Sequence, residues 1–261
     1  KEMGIDGPWV CLIVRDSAKT LESCLRSLKG VNFINVTDTG SVDRTRDMVL
    51  EVCQSMGVPF KLTEFVWVDD FSAARNFNLA QAPAETAWLF WCASDDHIEG
   101  MERAHDILAQ MDKYGAVWLK YNYARDEYGN VCMTFDRERF LRTKFNWVWK
   151  SRVHETIQPM DKCDYVRHDG IVVEHNHGPE RRSERNFKLL HFMLKEEPSN
   201  KRVWLYMGHQ HFAEGGRSAA AEWYLKFSQC PDVAPIERYQ ALTYTARALR
   251  NMGDWTQGIQ C

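Results

Sequence analysis

The chain has no apolar run approaching the roughly 20 residues that a membrane-spanning helix requires. Its opening residues, Lys1 to Trp9, lack the basic start leading into an apolar core that marks a secretory leader. No CxxC pair occurs: the eight cysteines, Cys11, Cys24, Cys53, Cys92, Cys132, Cys163, Cys230 and Cys261, are scattered. That spacing argues against a zinc site or a disulfide framework. Several sit in apolar runs, such as Cys11 in WVCLIV and Cys92 in WLFWC, as reduced core cysteines of a cytoplasmic protein do. An excess of positive charge is also missing. The 33 Lys and Arg face 36 Asp and Glu, a net charge of -3, so charge gives a nucleic-acid partner no support.

What is present is a globular balance of 44% hydrophobic and 26% charged residues over 261 positions. That length holds one large domain with a small appendage, or two modest domains. The first half alternates strand-like and helix-like segments. Trp9 to Val14 is a continuous apolar run, as a strand buried on both faces requires. Leu21, Cys24, Leu25 and Leu28 share one face of a helix predicted over 17–28. Strands follow over 32–37, 60–65, 87–92 and 115–123, with helices over 43–56, 71–79 and 101–111; Gly57 stops the first of these. The order βαβαβαβαβ implies an α/β fold, a Rossmann-like and mostly parallel sheet with helices on both faces. Asp126 to Asn130 is a turn, with a strand beginning at Val131. From there to about 173 the segments are short and mixed, and an antiparallel portion beside the main sheet is expected.

From Ser183 the pattern is all helical. Trp204, Met207, Gly208, His211, Ala220 and Tyr224 fall at the large and small positions of a tetratricopeptide-type repeat. A looser unit follows, with Ala241, Ala246 and Gly253-Asp254-Trp255. Such repeats bury their faces by stacking, so further repeats beyond Cys261 and oligomerisation through them are expected. The expected division is 1–182 for the α/β domain and 183–261 for the repeat region.

Five constellations carry chemistry. Thr37 to Thr45 (TDTGSVDRT) follows the second strand, and ligands bind at the carboxyl ends of strands in open α/β sheets. Gly40 admits close backbone approach, and Asp38 can accept from a base or a ribose, although the segment is equally a well-capped turn. Asp69 to Asn76 (DDFSAARN) opens a helix; Arg75 offers a planar donor fork to a diphosphate or base, or is a surface charge. Ser94-Asp95-Asp96-His97 places two carboxylates at the end of the most apolar strand, where Mg²⁺ or Mn²⁺ would suit them. Trp147 and Trp149, beside Arg152, His154 and Glu155, form a stacking platform for an acceptor with a candidate base, or a half-buried edge strand. Glu174-His175-Asn176-His177 brings two imidazoles near Arg181 and Arg182.

Together and in this order, these elements resemble the family 2 inverting glycosyltransferases of the GT-A fold, in the bacterial and phage type with a C-terminal tetratricopeptide extension. Ile13-Val14-Arg15-Asp16, Asp38 to Thr45, Phe71 to Asn76, Ala93 to Asp96 and His154-Glu155 carry the resemblance. It implies a UDP-sugar donor, with glucose or a related hexose transferred to an acceptor hydroxyl. Val14, Asp38, Arg75, Asp96 and Arg152 would contact the donor, Asp38 at its uracil. Asp95 would hold Mn²⁺ or Mg²⁺ with His175, or with His177 as the close alternative. Glu155 would be the base. The resemblance also implies a cytoplasmic setting in a bacterial or phage-infected cell. The acceptor stays open between protein, glycan and modified DNA base. One departure is Ala93, where the family's metal motif has its first aspartate; it favours a rival reading as a non-catalytic nucleotide-sugar-binding scaffold. A nucleotidyltransferase would carry an early Gly-rich basic loop, and none is present.

Overall fold

Continuous apolar runs become interior strands. β1 (Trp9–Val14) pairs in parallel with β2 (Phe33–Asp38), β2 with β3 (Phe60–Glu64), and β1 on its other side with β4 (Trp88–Cys92). The connecting helices are α1 (Leu21–Ser27), α2 (Thr45–Met56) and α3 (Phe71–Leu79). Gly57 ends α2 in a left-handed conformation, φ 65°, which only glycine adopts cheaply. The structure, a computed structural model, describes residues 7–176 and 183–251. The chain divides into two compact units, Lys1–Pro179 and Glu180–Cys261.

Alternate residues of each central strand feed two cores, which is why the strands read as unbroken apolar runs. Val10, Leu12, Phe90 and Cys92 pack with residues of α1 and α2. Cys11, Leu89 and Trp91 pack on the other side with Trp149, Ile157 and the end of α3. The mostly parallel α/β sheet with helices is as expected.

The second half departs from the expected layout. β5 (Asp96–Glu99), α4 (Ala104–Leu108) and β6 (Ala116–Arg125) precede a long strand, β7 (Val131–Arg142). After it come the hairpin β8 (Trp147–Lys150) and β9 (Thr156–Pro159), then β10 (Tyr165–His175). The sheet order is β3-β2-β1-β4-β7-β6-β10-β5, with β8-β9 as a separate pair. The antiparallel strand β7 therefore lies inside the main sheet, between β4 and β6, rather than beside it. The last residues of the strand are the cause: Phe140 and Leu141 are fully buried, one in each core, while Val131 to Phe135 stay exposed. The helix predicted over 101–111 is cut to α4, and the four-residue β5, too short to show a period, closes the sheet against β10.

The helical unit contains α5 (Ser183–Glu196), α6 (Lys201–Ala213), α7 (Arg217–Ser228) and α8 (Pro235–Asn251). A Cβ at Gly208 would stand 2.5 Å from the Tyr224 ring, so the small position on α6 exists to admit the large one on α7. Tyr224 stacks on Tyr244 and its hydroxyl meets His209 Nδ1 at 2.9 Å. Gly253-Asp254-Trp255 lie outside the described residues.

Candidate functional site

Register places the site. Val14 is paired with Asp38 and Asp38 with Glu64, while Cys92 lies beside Leu12. The segments after β1, β2, β3 and β4 therefore leave the sheet along one carboxyl edge.

The turn after β2 is built around its acids. Asp38 is 2% exposed and accepts from Ser41 N–H at 3.1 Å and Ser41 Oγ at 2.5 Å. Gly40 has φ +102° with open space where a side chain would stand. Ser41 Oγ accepts from Asp16 N–H (3.0 Å), and Asp16 Oδ1 accepts from Val42 N–H (2.8 Å), so the loop after β1 is tied to this turn. Asp43 accepts from Thr45 N–H and Oγ1 and from Ala18 N–H. Burial alone would raise the Asp43 carboxyl, but these donors outweigh it and hold it below the ordinary carboxylate value.

Helix α3 organises the second wall. Asp70 caps it, accepting from Ala73 N–H at 3.0 Å and Ser72 Oγ at 2.7 Å. Buried Asn78 donates to Leu12 O, Asn35 O and Thr37 Oγ1, and its backbone carbonyl accepts from Asn35 Nδ2, which bolts α3 to β1 and β2. Asn76 clasps the backbone of Trp149 with both ends of its amide, at 2.8 and 2.9 Å. That clasp brings the β8–β9 hairpin and Glu155 to the helix. Arg75 Nε donates to Glu155 Oε1 at 2.7 Å, with side chains 12% and 14% exposed. The guanidinium lies 4.6 Å from the Trp149 ring centre and 5.4 Å from that of Trp91. Arg152 donates to Asp69 O at 3.3 Å, and its own carbonyl accepts from Phe71 N–H. Asp69, Ser151 and His154 all have φ between 53° and 81°, strained for side-chain-bearing residues.

The expected acceptor platform is placed differently from the sequence reading. Trp149 is 3% exposed, set edge-on against Trp91 and covered by Arg75, so neither ring face is open to an acceptor. Trp147 donates its indole N–H to Arg142 O. Asp96, expected at the nucleotide sugar, is also buried.

The third group is Asp95, Asp96 and His175, whose ligand atoms lie within 4.8 Å of one another. Asn176 N–H donates to Asp95 O, tying the end of β10 to the loop after β4. His175 Nδ1 is 3.7 Å from Asp95 Oδ1 and 3.5 Å from Asp96 Oδ1. The Asp95 side chain is 32% exposed, whereas that of Asp96 is 0% and pairs with Arg139 at 3.0 Å. Burial would push Asp96 up; Arg139, His175 and the Ala93 N–H together bring it below the ordinary value. Burial, then the neighbouring Asp96, push Tyr121 well above its own. Ala93 supplies only backbone: its N–H donates to Asp96 and its carbonyl accepts from Cys24 Sγ. A partly exposed carboxylate and a mostly buried imidazole, backed by a second carboxylate, are a donor set whose chemistry fits Mg²⁺ or Mn²⁺. His177, Arg181 and Arg182 lie outside the described residues. Arg139, Tyr121 and Asn78 were not visible as site residues in the sequence; no spacing rule links them to the motifs they serve.

Residues 9–154 match the family model described as Glycosyl transferase family 2. A TPR repeat-containing protein of Synechococcus elongatus is 28% identical over 266 residues, covering 96% of this chain and 63% of that protein. The chain thus spans less than two thirds of that curated relative. Among solved structures, S. aureus TarS is similar with a TM-score of 0.47 and 15% identity, over 94% of this chain and 49% of that one. GalNAc-T7 with UDP, GalNAc and Mn²⁺ is similar with a TM-score of 0.37 and 11% identity, over 59% of this chain and 30% of that one.

Proposed function

Because the chain belongs to glycosyl transferase family 2, whose model covers residues 9–154, we propose that it transfers a hexosyl group from a UDP-sugar to an acceptor hydroxyl with inversion at the anomeric carbon. The observation that carries this reading is the convergence, on one sheet edge, of the Asp38 turn, the Arg75–Glu155 pair and the Asp95–His175 pair. In this reading residues 1–182 carry the chemistry and 183–261 form a repeat region that binds a partner or a second copy.

Asp38, Val14 and Arg152 line the nucleotide side, and Arg75 meets the donor with its fork. Asp95 and His175 would hold the divalent cation, with Asp96 beneath them; when bound, the cation supplies positive charge to the departing diphosphate. Glu155 takes the proton of the acceptor hydroxyl as that oxygen attacks the anomeric carbon. The bond to the diphosphate breaks on the opposite side, so the configuration inverts. Glu155 must first leave Arg75, and a nucleotide phosphate is a strong competing partner for a guanidinium. Donor binding therefore precedes release of the base.

Thermal shift against a set of nucleotide sugars, with and without Mn²⁺, tests the donor, since selective binding raises stability. A UDP-sugar is expected to raise the melting temperature; no shift with any of them would overturn the assignment. Ala93 supports a second reading, a domain that binds the donor without turning it over. UDP release from wild type, Asp95→Ala and Glu155→Ala separates the two: equal background rates in all three leave only the binding reading.

A further inference from the structure

β7 runs past the strand beside it. β4 pairs with it only from Phe140 to Arg142, whereas β6 accompanies it from Val131 onward. Cys132 stands as an extra residue in that ladder, between Val131 and Met133, and the register is regular from Thr134 to Glu138. Among the described residues, no strand lies on the other side of Met133 to Arg137. Alternate residues of a strand paired on one side only turn their N–H and C=O groups away from the partner, so this stretch is an open edge. Met133 is 50% and Phe135 38% exposed, and Thr134 between them is exposed as well. None of Val131 to Phe135 is a charged residue or a proline, the common guards of a free edge.

The open edge leads into the site. The Phe135 ring centre is 5.4 Å from that of Tyr121 and 5.6 Å from that of Tyr123, and Tyr123 stacks on His175 at 5.1 Å. Farther along β7, the Arg137 guanidinium lies 5.1 Å from the ring centre of Trp91, whose indole N–H donates to Glu138 O. Arg75 stands over the same indole and holds Glu155. A chain laid along β7, in the line that β4 leaves free, is therefore carried from Met133 toward Trp91 and the base. A strand edge also selects the chemistry of what it binds. Its donors and acceptors alternate at the spacing of another main chain, a pattern that a sugar ring or a nucleobase lacks.

We propose that Met133 to Arg137 of β7 is the docking edge for the acceptor, and that the acceptor is an extended polypeptide that adds to it as a further strand and presents a Ser or Thr hydroxyl to Glu155. The inference rests on the transferase reading of the site. Main-chain hydrogen bonds supply the affinity, and Met133 and Phe135 meet alternate side chains of the added strand. The hydroxyl oxygen forms its bond to the anomeric carbon, its proton passes to Glu155, and the bond to UDP breaks.

The test gives the protein a UDP-sugar that raises its melting temperature, together with three acceptor probes. These are a peptide library with one Ser or Thr between randomised flanks, the same library N-methylated at alternate flanking residues, and a set of p-nitrophenyl hexosides. Transfer is read by mass spectrometry. Sugar is expected on the plain library, with an initial rate about 10-fold or more lower on the N-methylated one, which has lost main-chain donors. The variant Met133→Lys/Thr134→Lys places charge on the edge. Both residues are exposed, so its melting temperature is expected to stay near that of wild type, while its rate on the plain library falls to a similar degree. A peptide recovered from the product is expected to raise hydrogen-exchange protection over residues 133–137. Transfer to the hexosides alone, equal rates on the two libraries, or a wild-type rate in the lysine variant would overturn the proposal. So would protection of β7 that grows with protein concentration alone, because a second copy would then occupy the edge. The library comparison needs no variant and decides the matter should the lysine variant not fold. Absence of a melting shift with every UDP-sugar defeats the transferase reading itself, an outcome distinct from donor binding without transfer to peptide, which defeats this proposal.

Discussion

Arg75 and Glu155 form one mostly buried pair, their side chains 12% and 14% exposed. Sequence spacing nominated both, one for the donor and one as base, but gave no sign that they bond to each other at 2.7 Å. Glu155→Gln keeps an oxygen for Arg75 and loses the basic site. Transfer is expected to fall by about 10²- to 10⁴-fold, with donor affinity by calorimetry little changed. If the Glu155→Gln variant transfers as well as wild type, another carboxylate is the base. Arg75→Lys keeps the charge and loses both the fork and the fit over Trp149. Donor affinity is expected to weaken by about 10-fold or more, the worth of a hydrogen bond to a charged group. The sequence could nominate Asp38 at the end of β2, Arg75 inside the capped helix α3 and Asp95 just after β4 because those elements have a clear pattern. The burial of Asp96 and Trp149 was not legible, because burial depends on which strands lie alongside.

At the scale of elements, α3 is the part on which the site hangs. Its bounds, Phe71–Leu79, are those predicted from the sequence, since Asp70 caps it and Pro83 lies beyond. Its height over the sheet is set by Asn78, whose amide answers three acceptors on β1 and β2. Asn78→Leu removes the donor that those groups share, leaving Thr37 Oγ1 only Thr63, and is expected to cost about 2–4 kcal/mol, read as a lower denaturation midpoint. An unchanged midpoint would mean that the helix is held by its apolar contacts alone. β7 makes the opposite case. The turn over Asp126 to Asn130 gave a strand from Val131 but not its place, because pairing partners are chosen by non-local packing. Insertion between β4 and β6 is what carries Arg139 beside Trp91 and Asp96.

For the whole molecule, the two units are expected to respond to acid in different windows. In the helical unit, burial lowers His209 from its ordinary 6.5. The unfolded chain then takes up the proton first, so stability is present above pH 6.5 and is lost as pH falls from there through the lower folded value. His211 is lowered in the same sense, chiefly by burial. In the α/β unit Asp96, lowered from 3.8 by Arg139 against the opposing effect of burial, contributes stability that is lost only as pH falls below that value. Hydrogen exchange followed as pH is lowered from about 7 to about 4 is expected to show α6 and α7 losing protection before β1 and β4. Simultaneous loss, or β1 first, would contradict this, and His209→Gln is expected to flatten the early phase. What the sequence by itself determined is the alternation of elements, the two-core character of the central strands and the motifs at their carboxyl ends, because these follow from local periodicity and from turns that cap themselves. Only the tertiary structure decided which strand entered the middle of the sheet, which acid is buried and which ring faces are covered. Those outcomes come from contacts between residues dozens of positions apart, and a linear pattern does not encode which of several apolar edges a strand will join.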